Sequence, residues 1–104
     1  MNTPNKITFF ERFESDILSG KKTITIRDEA ESHYVPGSQV DVATFEDDRL
    51  FCRIEILSVE PISLSELNDH HASQENMTLP VLKEVIAEIY PGLESLYVIA
   101  YKLV

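Results

Sequence analysis

The chain has 104 residues, 43% of them hydrophobic, and 18 acidic against 9 basic side chains give a formal net charge of −9. That length suits one domain, spanning 1–104, and the hydrophobic share excludes a disordered chain. The single cysteine, Cys52, excludes an internal disulfide and a paired-cysteine metal site, and a negative field of this size disfavours polyphosphates as partners. A small, weakly charged substrate fits the balance better than long nucleic acid. No N-terminal stretch reads as a signal peptide and no run approaches a membrane span, so the expectation is a cytoplasmic protein without a membrane partner. The glycosylation-like triplet Asn76-Met77-Thr78 is then incidental.

Ile7 to Phe9 reads as a short strand. A helix follows near residues 10–19, with Phe10, Phe13, Ile17 and Leu18 on one stripe and Gly20 placed to end it. From Thr23 to Arg27 the residues alternate, sending Ile24 and Ile26 to one face of a strand and Thr23, Thr25 and Arg27 to the other. Residues 28–38 form a polar loop closed by the turn Pro36-Gly37-Ser38. Gln39 to Phe45 and Leu50 to Val59 read as strands joined by a hairpin at Glu46-Asp47-Asp48-Arg49. In the second of them Leu50, Cys52, Ile54 and Ile56 share a face, which makes Cys52 a small core residue. Ser63 or Ser65 caps a short helix near 64–71. Thr78 caps a longer one, with Pro80 in its first turn, Leu82, Val85, Ile86 and Ile89 facing inward, and Pro91-Gly92 ending it. Leu96 to Leu103 is a closing strand. Five or six strands with about three helices, joined partly by hairpins, predict an α+β protein built on a small antiparallel or mixed barrel.

Lys21, Lys22 and Arg27 place three of the nine cations within seven residues. Gly20-Lys21-Lys22-Thr23 is not a phosphate loop, because it runs from helix to strand and has a lysine where Ser or Thr should stand. Lys22 and Thr25 suggest a base beside a nucleophile. A threonine hydroxyl needs such a base, and a lysine serves only if its pKa falls from about 10.4 toward roughly 7–8. Burial or a neighbouring cation, Lys21 or Arg27, drives that shift. Three residues apart on an ideal strand, the two side chains would face opposite ways, but Lys22 sits at the junction after Gly20, where alternation need not hold. The plainer reading is a solvated strand edge. Glu75, between the second and third predicted helices, is either a proton donor or one more solvated acid. His70 and His71, with Glu66 and Asp69, point about 100° apart on a helix and suit a hydrated face better than a metal. The acids Glu46, Asp47 and Asp48 suit a turn. The expectation is therefore no metal. Phe9, Tyr34, Phe45 and Phe51 are possible stacking surfaces for a base, with core packing the default for the phenylalanines.

The blocks Ile7-Thr8-Phe9-Phe10-Glu11-Arg12-Phe13, Asp16 to Glu29, Phe45-Glu46-Asp47-Asp48, Phe51-Cys52-Arg53-Ile54-Glu55, Gln74-Glu75-Asn76-Met77-Thr78 and Ile89-Tyr90-Pro91-Gly92 together resemble the ASCH-domain (activating-signal-cointegrator homology) family. Within it they resemble the small bacterial N4-acetylcytidine amidohydrolases. The resemblance implies a PUA-like barrel and a hydrolase that removes the acetyl group from the exocyclic nitrogen of cytidine without a cofactor. It places the catalytic lysine (proton acceptor) on Lys22, the nucleophile on Thr25 and the acidic partner (proton donor) on Glu75. Separately from that triad, the chemistry suggests that Arg27 or backbone N–H groups would stabilise the oxyanion, with Lys21 the other cation placed to assist substrate binding. The implied partner is a nucleoside. The alternative is a non-catalytic RNA-binding PUA-like module that uses Lys21, Lys22 and Arg27 for phosphates. With no clear exposed apolar stripe, a monomer is expected.

Overall fold

The computed structural model describes residues 4–104. Its strands are β1 (Lys6–Phe9), β2 (Ile24–Arg27), β3 (Gln39–Thr44), β4 (Leu50–Ser63) and β5 (Ser95–Leu103); its α-helices are α1 (Glu14–Leu18), α2 (Asp69–Gln74) and α3 (Leu79–Ile89). All five strands form one mixed sheet in the order β1-β3-β4-β5-β2. β1 runs parallel to β3, and the other neighbours are antiparallel. The α+β architecture is as expected, with one refinement. The hydrogen-bonded ladder does not close into a barrel. β1 and β2 are its two edges, and they are joined by a side chain: Arg27 Nη2 on β2 donates to the Thr8 carbonyl on β1 at 2.7 Å. Edge strands of four residues leave little backbone to pair, and the guanidinium occupies the seam.

Apolar alternation supplies two cores. Ile7, Phe9, Val42, Ile54, Ile99 and Tyr101 fill the one inside the curled sheet. Ile26 and Leu96 pack with Leu67, Ala72, Leu82 and Ile86 in the second, which docks α2 and α3 onto the β2–β5 side. Cys52 packs against the first core, and burial pushes its thiol up to about 11. On the same strand face Ile54 and Ile56 are buried, whereas Leu50 is exposed where the β3–β4 register shifts between Val42 and Ala43.

β4 runs four residues further than the alternation suggests, through Pro61. Beyond Ile56 it pairs only with β5, so its other side is an edge that does not need the missing proline N–H. The predicted helix at 10–19 begins as a 3₁₀ turn, Glu11–Phe13, before α1, and Leu18 turns outward. The helix expected near 64–71 is split. Ser63 caps a 3₁₀ turn at Leu64–Glu66, Leu67 is extended and buried, and Asn68 starts α2 by accepting from the backbone N–H groups of His70 and His71. That second cap carries α2 on to Gln74. Thr78 caps α3 as expected.

Candidate active site

Gly20 adopts φ +78°, a conformation open to glycine, and this folds the chain back so that the N–H groups of Lys21 and Lys22 both reach the Asp16 carbonyl, each at 3.0 Å. The next residue, Thr23, donates its N–H to the Gln74 carbonyl at 2.7 Å. Asn76, itself left-handed at φ +58°, donates from Nδ2 to Asp16 Oδ1 at 3.1 Å. These bonds fasten the entrance of β2 to the C-terminal end of α2. Lys22 is thereby set beside Glu75, the residue that ends α2.

Lys22, Thr25 and Glu75 are each 4% exposed and Arg27 is 9% exposed. All four line a single cavity of about 160 Å³. Its other walls are mainly apolar: Phe9, Phe10 and Phe13 on one side, Val85, Ile86 and Ile89 of α3 on another, and Phe45 at the hairpin. Lys22 precedes the first residue of β2, so the strict alternation that would separate it from Thr25 does not apply. The sequence-predicted base, nucleophile and acid thus line one half-open cavity.

The hydrogen bonds divide them into two pairs. Lys22 Nζ donates to Glu75 Oε1 in a buried ion pair. Thr25 Oγ1 accepts from Arg27 Nε at 2.8 Å. Among the described residues, no hydrogen bond joins Lys22 directly to Thr25. Burial is the strongest influence on Lys22 and pulls its pKa below the ordinary 10.5; Glu75 opposes this, and Arg27 adds a weaker push downward. The ammonium also lies over two aromatic faces, 5.1 Å from the Phe13 centroid and 5.7 Å from that of Phe9. Arg27 lies 4.7 Å from the Phe9 centroid.

Lys21 is exposed and is not part of the cavity wall. Lys22 and Arg27 are buried and engaged with side chains. Of the three cations that an RNA-binding surface would use, only Lys21 stands at the surface. Of the aromatic candidates, Phe9 and Phe45 line the cavity; Phe51 packs on the first core, and Tyr34 is buried with its hydroxyl donating to the Lys6 carbonyl at 2.8 Å. The acids of the hairpin hold it down: Glu46 Oε1 accepts from the Glu11 N–H at 2.9 Å, Asp47 from the Thr44 hydroxyl, and Asp48 pairs with Lys6. His71 Nδ1 accepts from the Asn68 N–H at 3.2 Å as part of the α2 cap. Three cavity residues were not singled out by sequence reasoning, Thr8, Glu31 and Tyr90. Tyr90 belongs to the Ile89-Tyr90-Pro91-Gly92 block, which was the available signal; Glu31 sits in a loop that reads only as polar.

Among the described residues, no helix is long and apolar enough to cross a membrane. A family model described as ASCH domain matches residues 5–78. The chain is 66% identical over 104 residues to a protein of Vibrio vulnificus (strain YJ016) named N(4)-acetylcytidine amidohydrolase, with all of both chains covered. It is 65% identical over 99 residues to a protein of the same name from Shewanella baltica (strain OS155 / ATCC BAA-1091), covering 95% of this chain and 94% of that one. Among solved structures, an ASCH domain from Lactobacillus crispatus JV V101 superposes with a TM-score of 0.75 at 17% identity, covering 95% of this chain and 79% of the other. A protein of Enterococcus faecalis V583 superposes with a TM-score of 0.75 at 19% identity, covering 100% and 78%. At those identities the structural likeness speaks for the fold, while the matched model and the full-length relatives speak for descent: the chain belongs to the ASCH-domain family.

Proposed function

We propose that this protein is an amidohydrolase that converts N4-acetylcytidine to cytidine and acetate, with Lys22 as base, Thr25 as nucleophile and Glu75 as acid. The observation that carries the reading is the gathering of these three buried side chains around one mainly apolar cavity, in a chain two-thirds identical to proteins bearing that name. The volume is apt for a base. A cavity of about 150 Å³ holds one benzene ring, so about 160 Å³ accommodates a pyrimidine with the ribose left at the mouth.

The Lys22–Glu75 pair contains the proton both roles require. Moving it from ammonium to carboxylate gives a neutral amine and a carboxylic acid, a base and an acid in contact. Burial pulls the Lys22 pKa down and so eases that transfer. Substrate entry, by removing remaining water, pushes the same way. Lys22 Nζ then takes the Thr25 hydroxyl proton as Oγ1 attacks the acetyl carbonyl carbon. The tetrahedral oxyanion collapses by breaking the bond to N4, and Glu75 delivers its proton to that nitrogen. Cytidine leaves, and Thr25 carries the acetyl group. The pair is now ammonium and carboxylate. Glu75 accepts a proton from the water that attacks the acetyl carbon, and Lys22 returns a proton to Thr25 Oγ1 as acetic acid departs, which releases its remaining proton to bulk water to become acetate. Every proton is accounted for, and no metal or cofactor enters the cycle. This is serine-hydrolase logic with lysine in place of histidine.

The test is acetate release from N4-acetylcytidine by the purified protein and its variants. Thr25→Ala removes little volume and should lower kcat by at least about 10³-fold while the fold persists. Lys22→Arg keeps the charge but cannot serve as a base, and it should be equally impaired. Wild-type turnover by Thr25→Ala would overturn the nucleophile assignment.

A further inference from the structure

Arg27 is held from three directions. Nε donates to Thr25 Oγ1 at 2.8 Å, Nη2 donates to the Thr8 carbonyl at 2.7 Å, and Nη1 donates to Glu31 Oε2. Glu31 has a second engagement: its Oε1 accepts from the Tyr90 hydroxyl at 2.9 Å. Glu31 is itself seated by its backbone N–H, which donates to Asp28 Oδ1 at 3.2 Å. Tyr90, Glu31, Arg27 and Thr25 therefore form one continuous hydrogen-bonded line along the cavity wall, running from the end of α3 to the hydroxyl on β2.

Building on the reading of Thr25 as nucleophile, we propose that Glu31 and Tyr90 are positioning residues that keep Arg27 Nε on the Thr25 oxygen, and that Arg27 is a catalytic residue which stabilises that oxygen as it gains charge. A guanidinium only donates. With Arg27 bound to one lone pair, the Thr25 hydrogen has to point elsewhere, and it is free to point toward a base. The same bond stabilises negative charge on Oγ1 during attack and again when the oxygen departs from the acetyl group. Glu31 threatens this arrangement, because a free carboxylate prefers a two-pronged grip on a guanidinium and from Nη1 would draw Nη2 off the Thr8 carbonyl, turning Nε away from Thr25. Tyr90 prevents it by occupying the second carboxylate oxygen, leaving Glu31 one oxygen for Nη1. Burial and the neighbouring Glu31 raise the Tyr90 pKa, so the phenol stays a donor throughout the working range.

Tyr90→Phe and Glu31→Gln are the variants to make. If Arg27 drifts off Thr25, kcat for acetate release should fall by about 10-fold to 10²-fold, and KM should change less than about twofold. In an Arg27→Lys background neither change should lower kcat further, because the residue through which they act has gone. Full multiplication of effects in that background, or a loss confined to KM, would overturn the proposal in favour of direct substrate contact. A second measurement does not depend on turnover. In nitrogen-15 NMR spectra the Arg27 Nε–H should be slow to exchange in the wild type and should exchange faster in folded Tyr90→Phe. An unchanged Nε–H would overturn the positioning role. Absence of acetate release by the wild type would instead sink the amidohydrolase reading while leaving the spectroscopic result decisive for the geometry.

Discussion

Lys22 and Glu75, 53 positions apart in the chain, are joined in a buried ion pair at one end of the cavity. Both are nearly excluded from water, so each charge depends on the other. A buried pair is costly to form and more costly to break, since removal of one partner strands the other. Glu75→Leu or Lys22→Met alone should therefore destabilise the fold by about 3 kcal/mol. Lys22→Met/Glu75→Leu together should be less destabilised than either single variant, with a coupling of at least about 1 kcal/mol in urea denaturation. Strictly additive losses would mean that the two side chains do not share their charge.

The lowered Lys22 pKa has a signed consequence for stability. Between the folded value and the ordinary 10.5, the unfolded chain binds more protons at this position than the folded chain does. Stability contributed by this group accordingly rises with pH through that window and is lowest below it. Urea midpoints of wild type and Lys22→Met, followed from about pH 7 to about pH 10, should show the wild type gaining on the variant as pH rises. The opposite trend would mean that Glu75 outweighs burial in setting the lysine.

Phe45 is 65% exposed although it lines the cavity, and its ring meets Phe10 at 5.4 Å between centroids, nearly edge-on. An aromatic face kept at a cavity mouth by a hairpin pinned at Glu46, Asp47 and Asp48 suits a stacking base. Stacking of this kind contributes roughly 1–3 kcal/mol. Phe45→Ala should raise KM for N4-acetylcytidine by about 10-fold, with kcat and thermal stability nearly unchanged. An unaltered KM would remove Phe45 from the substrate's path.

Tyr101 lies at the base of the first core, 3% exposed, and its hydroxyl has no hydrogen-bond partner among the described residues. A buried, unpartnered hydroxyl opposes folding. Tyr101→Phe should leave Tm unchanged or raise stability by up to about 1 kcal/mol. A loss of that size would show that the hydroxyl is held.

Much of the local architecture was legible from short-range pattern. Alternation from Thr23 to Arg27 marked β2, Gly20 marked the end of the first helix, and Thr78 with Pro80 marked the start of α3, because each signal acts within a few residues of itself. Lys22 and Thr25 were legible as a possible base and nucleophile for the same reason. Glu75 was different. Among 18 acidic side chains nothing local distinguishes it, and the predicted 64–71 helix is split at an extended Leu67, with Asn68 starting a second cap that carries α2 on to Glu75 beside β2.

What the amino-acid sequence determined by itself was which residues alternate, cap and turn, together with the family whose blocks they compose. It took the packed fold to bury Glu75 against Lys22, to carry Arg27 across the seam from β2 to the Thr8 carbonyl on β1 while its Nε holds Thr25, and to bring Glu31 and Tyr90 up behind it. Periodicity and capping are settled between neighbours along the chain, whereas desolvation and ion pairing depend on which distant elements exclude water from the same space.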